Sequence, residues 1–403
     1  MNLRVTKALA VAALTVAAFS PFSSPEASAA SIDERRAAEI EHFLGAYFKA
    51  DEPGCAVIVV RDGKTVFRKA FGLADLEAQK AVRPDSVFPL GSITKQFTAA
   101  AILQLVQDGK LALEDDVRKY LPNYPAGGES VTIQDLLTHT AGVPNFGFHA
   151  VRHARMSTEQ LIDLFRSKPL DFVPGSRWHY SNSGYDLLGA IVEQVSGMPY
   201  ASFVERRIFK PLGMGHSHYG FESSVGADAI QGYERMAVGF QRVDPVSMDS
   251  LFAAGALSSN VDDLALWNAA LNDDRLLDKK SRDRMFDDAR LRDGAPTGYG
   301  YGWVLTEREG TPRAWHNGSF DGFYAVVARL PADRLYVAIL GNVQNPRVPL
   351  DRRCGGFRQG QRAEGSDRQC CNSESLCHTQ VHVVDLWLLR INPSDDETLD
   401  YLF

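Results

Sequence analysis

Ser92 and Lys95 form an S-x-x-K motif directly before an amphipathic helical pattern that covers residues 96–107. If a helix begins near Ser92, the two side chains lie three positions apart on one face. A serine hydroxyl beside an amine that can take its proton is the arrangement of an activated nucleophile. About one such match is expected by chance in a chain of this composition, so the motif alone is weak. Its position strengthens it, because Gly91 precedes the serine at a helix entry, where backbone amides favour negative charge.

Two further short motifs carry polar side chains. Tyr180 and Asn182 lie two positions apart before an apolar helical pattern at 183–195, and both side chains can reach one cleft. The structural alternative is a turn in which Ser181 or Asn182 caps that helix. The third motif, W-H-N-G-S at 315–319, contains His316 and precedes a strand pattern. Its alternative is an Asn-Gly turn that joins two strands. Taken singly, both motifs favour the structural interpretation.

The elements around these motifs predict an α+β fold. A helix is expected over 32–49, and Asp62-Gly63 between apolar runs at 55–60 and 65–71 is a strong hairpin signal. Strand patterns return at 299–306, 322–330 and 335–340, with a turn at 331–334. The region from about 110 to 290 is mainly helical. We therefore predict one antiparallel sheet built from both ends of the chain, flanked by helices and carrying an inserted helical region.

The amino terminus predicts export. Arg4 and Lys7 precede an apolar run at 8–19, and A-S-A at 27–29 is a small-residue cleavage pattern. Residues 1–30 are therefore interpreted as a signal peptide, cleaved near Ala29 or Ala30, with a secreted or periplasmic product. The apolar run is shorter than the roughly 20 residues that a bilayer span requires. No later stretch is apolar enough to cross a membrane, so no stable membrane span is expected.

Composition excludes several functions. The chain is 45% hydrophobic and 23% charged, with a net charge of -7 and no basic patch before the tail, so nucleic acid is not an expected partner. His149 and His153 share a helical spacing but lack the glutamate of an H-E-x-x-H site. We expect no metal and no cofactor. Cys55, in an apolar strand pattern, is interpreted as a small buried residue.

The composition changes abruptly near residue 346. Residues 352–368 are rich in Arg, Gly and Gln, and four cysteines follow residue 350: Cys354, Cys370, Cys371 and Cys377. One interpretation is a disordered or disulfide-tied extension. The preferred hypothesis is a shifted reading frame from about 346 to 403, which would replace a closing helix expected to cover the sheet. The predicted folded domain therefore spans 31–345.

The three motifs occur in a recognisable order. Together with L-L-T-H-T-A-G at 136–142, P-L-G-M at 211–214 and G-A-L-S-S at 255–259, they resemble the serine β-lactamase and penicillin-binding protein superfamily. The resemblance covers about 35–345 and is greatest to the class C β-lactamase-like branch, which includes D-alanyl peptidases, D-aminopeptidases and esterases. It implies a β-lactamase/transpeptidase-like fold.

The resemblance also implies roles for individual residues. Ser92 is the expected nucleophile, with Lys95 and Tyr180 both candidates for the base. Asn182 is expected to orient Lys95 or to bind the substrate amide. The backbone N–H groups of Ser92 and Ser319 would form the oxyanion hole.

The third motif departs from the family pattern. Gly318 would let its strand approach the substrate closely. Where β-lactamases carry the lysine of K-T-G, however, this chain carries His316. A histidine is largely neutral at pH 7, so anchoring of a substrate carboxylate should weaken.

We therefore predict an exported serine hydrolase that cleaves an ester or amide through an acyl-serine. Short-chain esters and D-amino-acid peptides, small-molecule or peptidoglycan-derived, are preferred to β-lactams. The alternatives are a non-catalytic peptidoglycan-binding protein of the same fold and an inactive product of a truncated gene. The chain has no G-x-S-x-G elbow, which argues against an α/β-hydrolase. A Ser-His-Asp triad that uses His139 or His316 stays open. The oligomeric state is not predicted.

Overall fold

The structure, a computed structural model, describes residues 25–124, 128–221, 230–308 and 310–344. Most of the predicted signal peptide and the whole 346–403 tail, with its four cysteines, lie outside these ranges. The first described helix begins at Pro25 and so includes the predicted cleavage site, which stays a prediction. Within the described ranges, no helix combines the length and the apolar composition that a bilayer span needs.

The helices alternate with short strands in the middle of the chain. The helices are α1 (Pro25–Tyr47), α2 (Thr94–Gln107), α3 (Ile133–Leu137), α4 (Phe148–Val151), α5 (Thr158–Arg166), α6 (Asn182–Ser196), α7 (Tyr200–Val204), α8 (Lys210–Leu212), α9 (Phe252–Gly255), α10 (Val261–Ala270) and α11 (Lys279–Met285). The strands are β1 (Cys55–Arg61), β2 (Lys64–Phe71), β3 (Leu73–Asp75), β4 (Lys80–Ala81), β5 (Phe88–Pro89), β6 (His218–Tyr219), β7 (Tyr233–Arg235), β8 (Phe240–Arg242), β9 (Leu257–Ser259), β10 (Val304–Arg308), β11 (Thr311–Phe320), β12 (Phe323–Leu330), β13 (Leu335–Gly341) and β14 (Val343–Gln344).

One six-stranded antiparallel sheet joins the two ends of the domain in the order β10-β11-β12-β13-β1-β2. The first hairpin turns at Asp62 and Gly63, both with positive φ, which suits a tight turn between twisted strands. The last hairpin turns at 331–334, as expected. The predicted α+β fold, an antiparallel sheet with an inserted helical region, is confirmed.

Alternating side chains divide the sheet between two apolar cores. On the outer face, Val57 and Val59 pack with residues of α1, such as Leu44. On the inner face, Ile58 and Ala338 pack with the helical region. Cys55 is fully buried on the outer face as a free thiol, as the sequence predicted.

Helix α2 lies at the centre of the helical region, packed against α6 and α9. It is buried from Thr94 to Leu105 and ends before Gly109, whose φ of +67° terminates the helix as expected. Its start differs from the prediction. Ser92 lies in a 3₁₀ turn, Gly91–Ile93, and the α-helix begins only at Thr94. The positive φ of Gly91 bends the chain sharply into this turn.

One prediction about the carboxyl-terminal strands was wrong, and one structural alternative is excluded. The strand predicted from 299 begins only at Val304, because Gly298 and Gly302 adopt positive φ and interrupt the extended backbone. The motif at 315–319 is not a turn. It lies inside β11, where Asn317 pairs with Val326 of β12.

Candidate active site

The S-x-x-K motif brings its two side chains into contact at the start of α2. Lys95 Nζ lies 3.2 Å from Ser92 Oγ, 2.8 Å from Asn182 Oδ1 and 2.9 Å from the carbonyl oxygen of Ala254. Lys95 is fully buried, whereas Ser92 is only partly buried. The α2–α6 and α2–α9 contacts bring the two protein acceptors to the amine. Ser92 therefore has the buried Lys95 as a hydrogen-bonding partner and remains partly accessible to solvent.

Burial sets the charge state of this lysine. Loss of hydration lowers the pKa of Lys95 from 10.5 to about 7, and any negative charge on Asp186 acts in the opposite direction. A shift of this size corresponds to about 5 kcal/mol of differential interaction between the two protonation states. A large share of the amine is therefore neutral at pH 7. Protonated Lys95 donates to Ser92, Asn182 and Ala254. The neutral amine can keep the bonds to Asn182 and Ala254, which leaves its lone pair available to accept the Ser92 proton.

Asp186 is a buried acid that the sequence analysis missed. It lies in α6 one turn after Asn182, with no exposed surface. Burial raises its pKa well above 3.8, although the charge of Lys95 and the backbone N–H of Ala254 both act to lower it. We infer that burial favours the neutral form of this acid, while both protonation states of Lys95 are populated near pH 7. The i, i+4 spacing from Asn182 was the signal that could have identified it.

The Tyr180–Asn182 motif is both a helix cap and part of the site. Ser181 caps α6 by accepting from the Gly184 N–H at 3.1 Å, so the capping interpretation is confirmed. The Tyr180 ring centroid lies 4.7 Å from Lys95 Nζ, and the Asn182 amide binds the same atom. The motif thus caps a helix and also places Tyr180 and Asn182 beside Lys95.

Aromatic rings enclose the lysine on the remaining side. The His139 ring packs at centroid distances of 4.4 Å from Tyr180, 5.1 Å from Tyr185 and 4.7 Å from Tyr299. His139 Nδ1 accepts from the Ser181 N–H at 3.1 Å, which places the ring proton on Nε2 in the neutral form. Burial, with the nearby charge of Lys95, lowers the pKa of His139 well below 6.5. The imidazole therefore stays neutral at physiological pH.

His316 is held by groups of the protein itself. Its Nδ1 donates to the Asn317 carbonyl at 2.6 Å, and its Nε2 accepts from the Tyr299 hydroxyl at 2.9 Å. The side chain is only 2% exposed, and burial lowers its pKa to about 3. Both ring nitrogens are thus already hydrogen-bonded within the protein. The substrate contact predicted for His316 stays a prediction, and it requires one of these two bonds to break. The described hydrogen bond of Ser92 Oγ goes to Lys95, not to either histidine, which favours the lysine over a histidine triad.

Strand β11 packs directly against the 3₁₀ turn that carries Ser92. A Cβ on Gly318 would lie 1.9 Å from the Leu90 carbonyl oxygen and 3.0 Å from the Ser92 nitrogen. Glycine at 318 therefore lets the strand approach the nucleophile turn, rather than only the substrate as predicted. Ser319 N is likewise close to this turn, 3.1 Å from the position a Cβ would take on Gly91. The two amides predicted for the oxyanion hole thus belong to segments that contact each other at the nucleophile turn.

No group of three or more histidine, cysteine or acidic residues suited to a metal occurs within the described ranges. His149 and His153, the pair noted for its helical spacing, both contact Arg152. Neither lies among the contacts of Ser92 or Lys95.

These features define a serine hydrolase of the β-lactamase/transpeptidase fold: an antiparallel sheet, a central buried helix, and a serine–lysine pair at its start. A model of the β-lactamase family matches residues 32–353. The chain therefore belongs to the β-lactamase family. The match covers the described motifs and ends close to the predicted domain boundary at 345.

Individual relatives fall in several branches of this family. Penicillin-binding protein 4* of Bacillus subtilis (strain 168) is 30% identical over 308 residues, which cover 71% of this chain and 67% of the relative. A penicillin-binding protein homologue from Pyrococcus abyssi, solved as an octamer, is 30% identical with a TM-score of 0.65, covering 79% of this chain and 74% of the other. A D-stereospecific amidohydrolase from a Streptomyces species is 27% identical with a TM-score of 0.64, covering 76% of this chain and 94% of the other.

Proposed function

We propose that this chain is an exported serine hydrolase that cleaves an uncharged ester or a D-amino-acid amide through an acyl-serine intermediate. The observation that carries the proposal is the contact of Ser92 with a buried amine. Lys95 Nζ is 3.2 Å from the serine oxygen, and its two other partners are both acceptors. In that arrangement the lone pair of the neutral amine can accept the proton of the serine hydroxyl.

Acylation follows from the positions of these groups. The Ser92 hydroxyl passes its proton to Lys95 as Oγ forms a bond to the substrate carbonyl carbon. The carbonyl oxygen becomes an oxyanion, for which the amides of Ser92 and Ser319 are the proposed donors. The carbon–leaving-group bond then breaks, and the leaving group takes the proton from Lys95, directly or through Tyr180. A water molecule repeats the sequence on the acyl-enzyme, and Oγ recovers its proton.

The division of labour between Lys95 and Tyr180 follows from charge. With a pKa of about 7, Lys95 can both accept and return a proton near neutral pH. The Tyr180 ring centroid lies 4.7 Å from Nζ. The family resemblance supports a role for its hydroxyl in relaying a proton towards the leaving group. We assign Lys95 as the base for Ser92 and Tyr180 as the relay.

The preferred substrate class follows from the third motif. His316 is buried and neutral, with its nitrogens bonded to Tyr299 and Asn317. It therefore supplies no positive charge to bind a carboxylate. The resemblance to a D-stereospecific amidohydrolase supports amides of D-amino acids as one substrate, and neutral esters need no such anchor.

A substrate panel tests this proposal. Purified protein should hydrolyse p-nitrophenyl butyrate and D-alanine p-nitroanilide, with far slower turnover of nitrocefin and of L-alanine p-nitroanilide. Ser92→Ala should abolish the ester and the D-anilide activities while leaving the melting temperature within about 2 °C. Nitrocefin turnover that exceeds ester turnover would reverse the substrate assignment. Activity that survives in Ser92→Ala would remove the nucleophile.

A further inference from the structure

The segment 139–145, here called the template segment, runs beside residues 179–182, here called the Tyr180 turn. The turn has little regular structure of its own before α6 begins at Asn182. Hydrogen bonds join it to the template segment along its length: His179 N to His139 O at 3.0 Å, Ser181 N to His139 Nδ1 at 3.1 Å, Ser181 Oγ to Val143 O at 2.8 Å, Asn145 Nδ2 to Tyr180 O at 2.9 Å, and Asn182 N to Asn145 Oδ1 at 2.7 Å.

His139 binds the turn with both its backbone and its side chain. Its carbonyl accepts from His179, and its Nδ1 accepts from the Ser181 N–H. The backbone φ of His139 is +60°, a conformation that residues with a Cβ adopt only where the surroundings fix it. Its ring also packs on the Tyr180 ring at 4.4 Å. One residue therefore fixes both the backbone and the aromatic ring of the turn.

Asn145 binds the turn from the solvent side. Its amide nitrogen donates to the Tyr180 carbonyl, and its amide oxygen accepts from the Asn182 N–H. The Asn145 side chain thus joins the backbone on both sides of Ser181. It fixes the backbone of Tyr180 and of Asn182, the two residues whose side chains contact Lys95. Asn145 itself is exposed, so it contributes little to the apolar core.

We propose that His139 and Asn145 are positioning residues, which fix the Tyr180 turn so that the Tyr180 ring and the Asn182 amide are held against Lys95. This inference rests on the proposed function, because it assigns consequences for catalysis to the Tyr180 turn. A catalytic group displaced by about 1 Å can lose about 100-fold in rate. Loss of the His139 or Asn145 side chain should therefore strongly lower the rate of serine acylation while the free energy of unfolding changes little.

Asn145, the exposed positioning residue, gives the sharper test. Asn145→Ala removes both bonds, whereas Asn145→Asp keeps an acceptor for the Asn182 N–H and loses the donor to the Tyr180 carbonyl. Asn123→Ala is the matched control, since Asn123 is exposed and its side chain has no hydrogen bond to the described residues. The readouts are the rate constant for Ser92 labelling by a fluorophosphonate, kcat and KM for p-nitrophenyl butyrate, and the melting temperature.

We expect Asn145→Ala to lower the labelling rate constant and kcat by 10- to 100-fold, with KM within about twofold and the melting temperature within about 2 °C of the control. Asn145→Asp should fall between the wild type and Asn145→Ala. A labelling rate equal to that of the control would overturn the role of Asn145. A loss of rate that only parallels a loss of melting temperature would show a structural role instead.

The role of His139, the buried positioning residue, is tested by asking whether a substituted acceptor restores the labelling rate. His139→Asn tolerates positive φ and offers an amide oxygen where Nδ1 accepts, whereas His139→Leu offers no acceptor. We expect the order of labelling rates to be wild type, then His139→Asn, then His139→Leu. Equal rates for the two variants would contradict the acceptor role of Nδ1. Wild-type protein that is not labelled at all would instead refute the proposed function, so the two failures are distinguishable.

Discussion

The Nζ atom of Lys95 lies in a fully buried site with three oxygen atoms within hydrogen-bonding distance. Two of these are fixed acceptors on α6 and α9, and the third is the serine hydroxyl. Burial lowers the pKa of the amine to about 7, against a raising effect of Asp186, so both protonation states are populated near pH 7. Burial in the same pocket raises the pKa of Asp186, which favours a neutral acid near the amine.

The pH dependence of acylation follows from this state. Only the neutral amine can accept the serine proton, so the labelling rate should rise with pH through a midpoint near 7 and level off above about 8. Below the midpoint it should fall about tenfold per pH unit. Fluorophosphonate labelling rates between pH 5 and 9 measure this profile. A rate that is independent of pH over this range would contradict Lys95 as the base.

The state of Asp186 gives a second prediction at the same scale. If the acid is neutral near pH 7, Asp186→Asn replaces it with a group of similar shape and the same charge. The midpoint of the acylation profile should then move by less than about 0.5 pH unit. A fall of one unit or more would show that Asp186 is ionised, because loss of its negative charge would lower the pKa of Lys95.

The third motif gives a prediction about substrate choice. His316→Lys should raise the ratio of benzylpenicillin acylation to p-nitrophenyl butyrate hydrolysis, because a cation near the cleft attracts a carboxylate. It should also lower the melting temperature, because the bonds to Tyr299 and to the Asn317 carbonyl are lost. An unchanged substrate ratio, in variant protein that remains folded, would show that position 316 does not select the substrate.

Motifs identified some site residues from the sequence and missed others. Ser92 and Lys95 could be paired because helical spacing makes them neighbours. Asn145 and the Ala254 carbonyl could not be assigned, because they reach the site through packing of segments far apart in the chain. The contact between Lys95 and Ala254, for example, spans 159 positions. Asp186 was missed although its i, i+4 spacing from Asn182 was visible in the sequence.

At the scale of elements, strand β11 packs against the 3₁₀ turn before α2. These two elements carry the amides predicted for the oxyanion hole. Their close approach requires glycine at 318, since a Cβ there would lie 1.9 Å from the Leu90 oxygen, a severe steric overlap. The sequence predicted strand character on either side and left an Asn-Gly turn open as the structural alternative for 315–319. Asn-Gly is a strong turn signal, and it was overridden by pairing of Asn317 with Val326 in the middle of the sheet.

Gly318→Ala tests this contact. The added methyl should force β11 away from the nucleophile turn, lowering the melting temperature and reducing acylation by at least 100-fold. Gly215→Ala is the control, because a Cβ there meets no atom within 4 Å. A Gly318→Ala protein with the rate and melting temperature of the control would show that the close approach is not needed.

At the scale of the whole molecule, the sheet needs both ends of the domain. Strands β1 and β13 pair in its centre, although they lie at opposite ends of the domain sequence. This arrangement could be predicted because strand patterns occur at both ends with helices between. The hypothesis of a shifted frame concerns residues outside the described ranges, and an uninterrupted frame through residue 403 in verified coding DNA would remove it.

Export is a prediction at the scale of the whole chain. We expect expression of the full-length gene to give a mature protein that begins at residue 30 or 31, because A-S-A at 27–29 precedes the predicted cleavage site. Intact mass and amino-terminal sequencing of protein from the medium or the periplasm measure this. Full-length protein found only inside the cell would contradict the signal peptide.

The most direct test of the whole proposal is intact-mass spectrometry of the folded protein after incubation with a fluorophosphonate at pH 8, followed by peptide mapping. We predict one adduct per chain, located on Ser92, absent in Ser92→Ala and slowed at least 100-fold in Lys95→Met. A cooperatively melting wild-type protein that gains no adduct, or that carries it on another residue, would contradict Ser92 as a serine activated by Lys95.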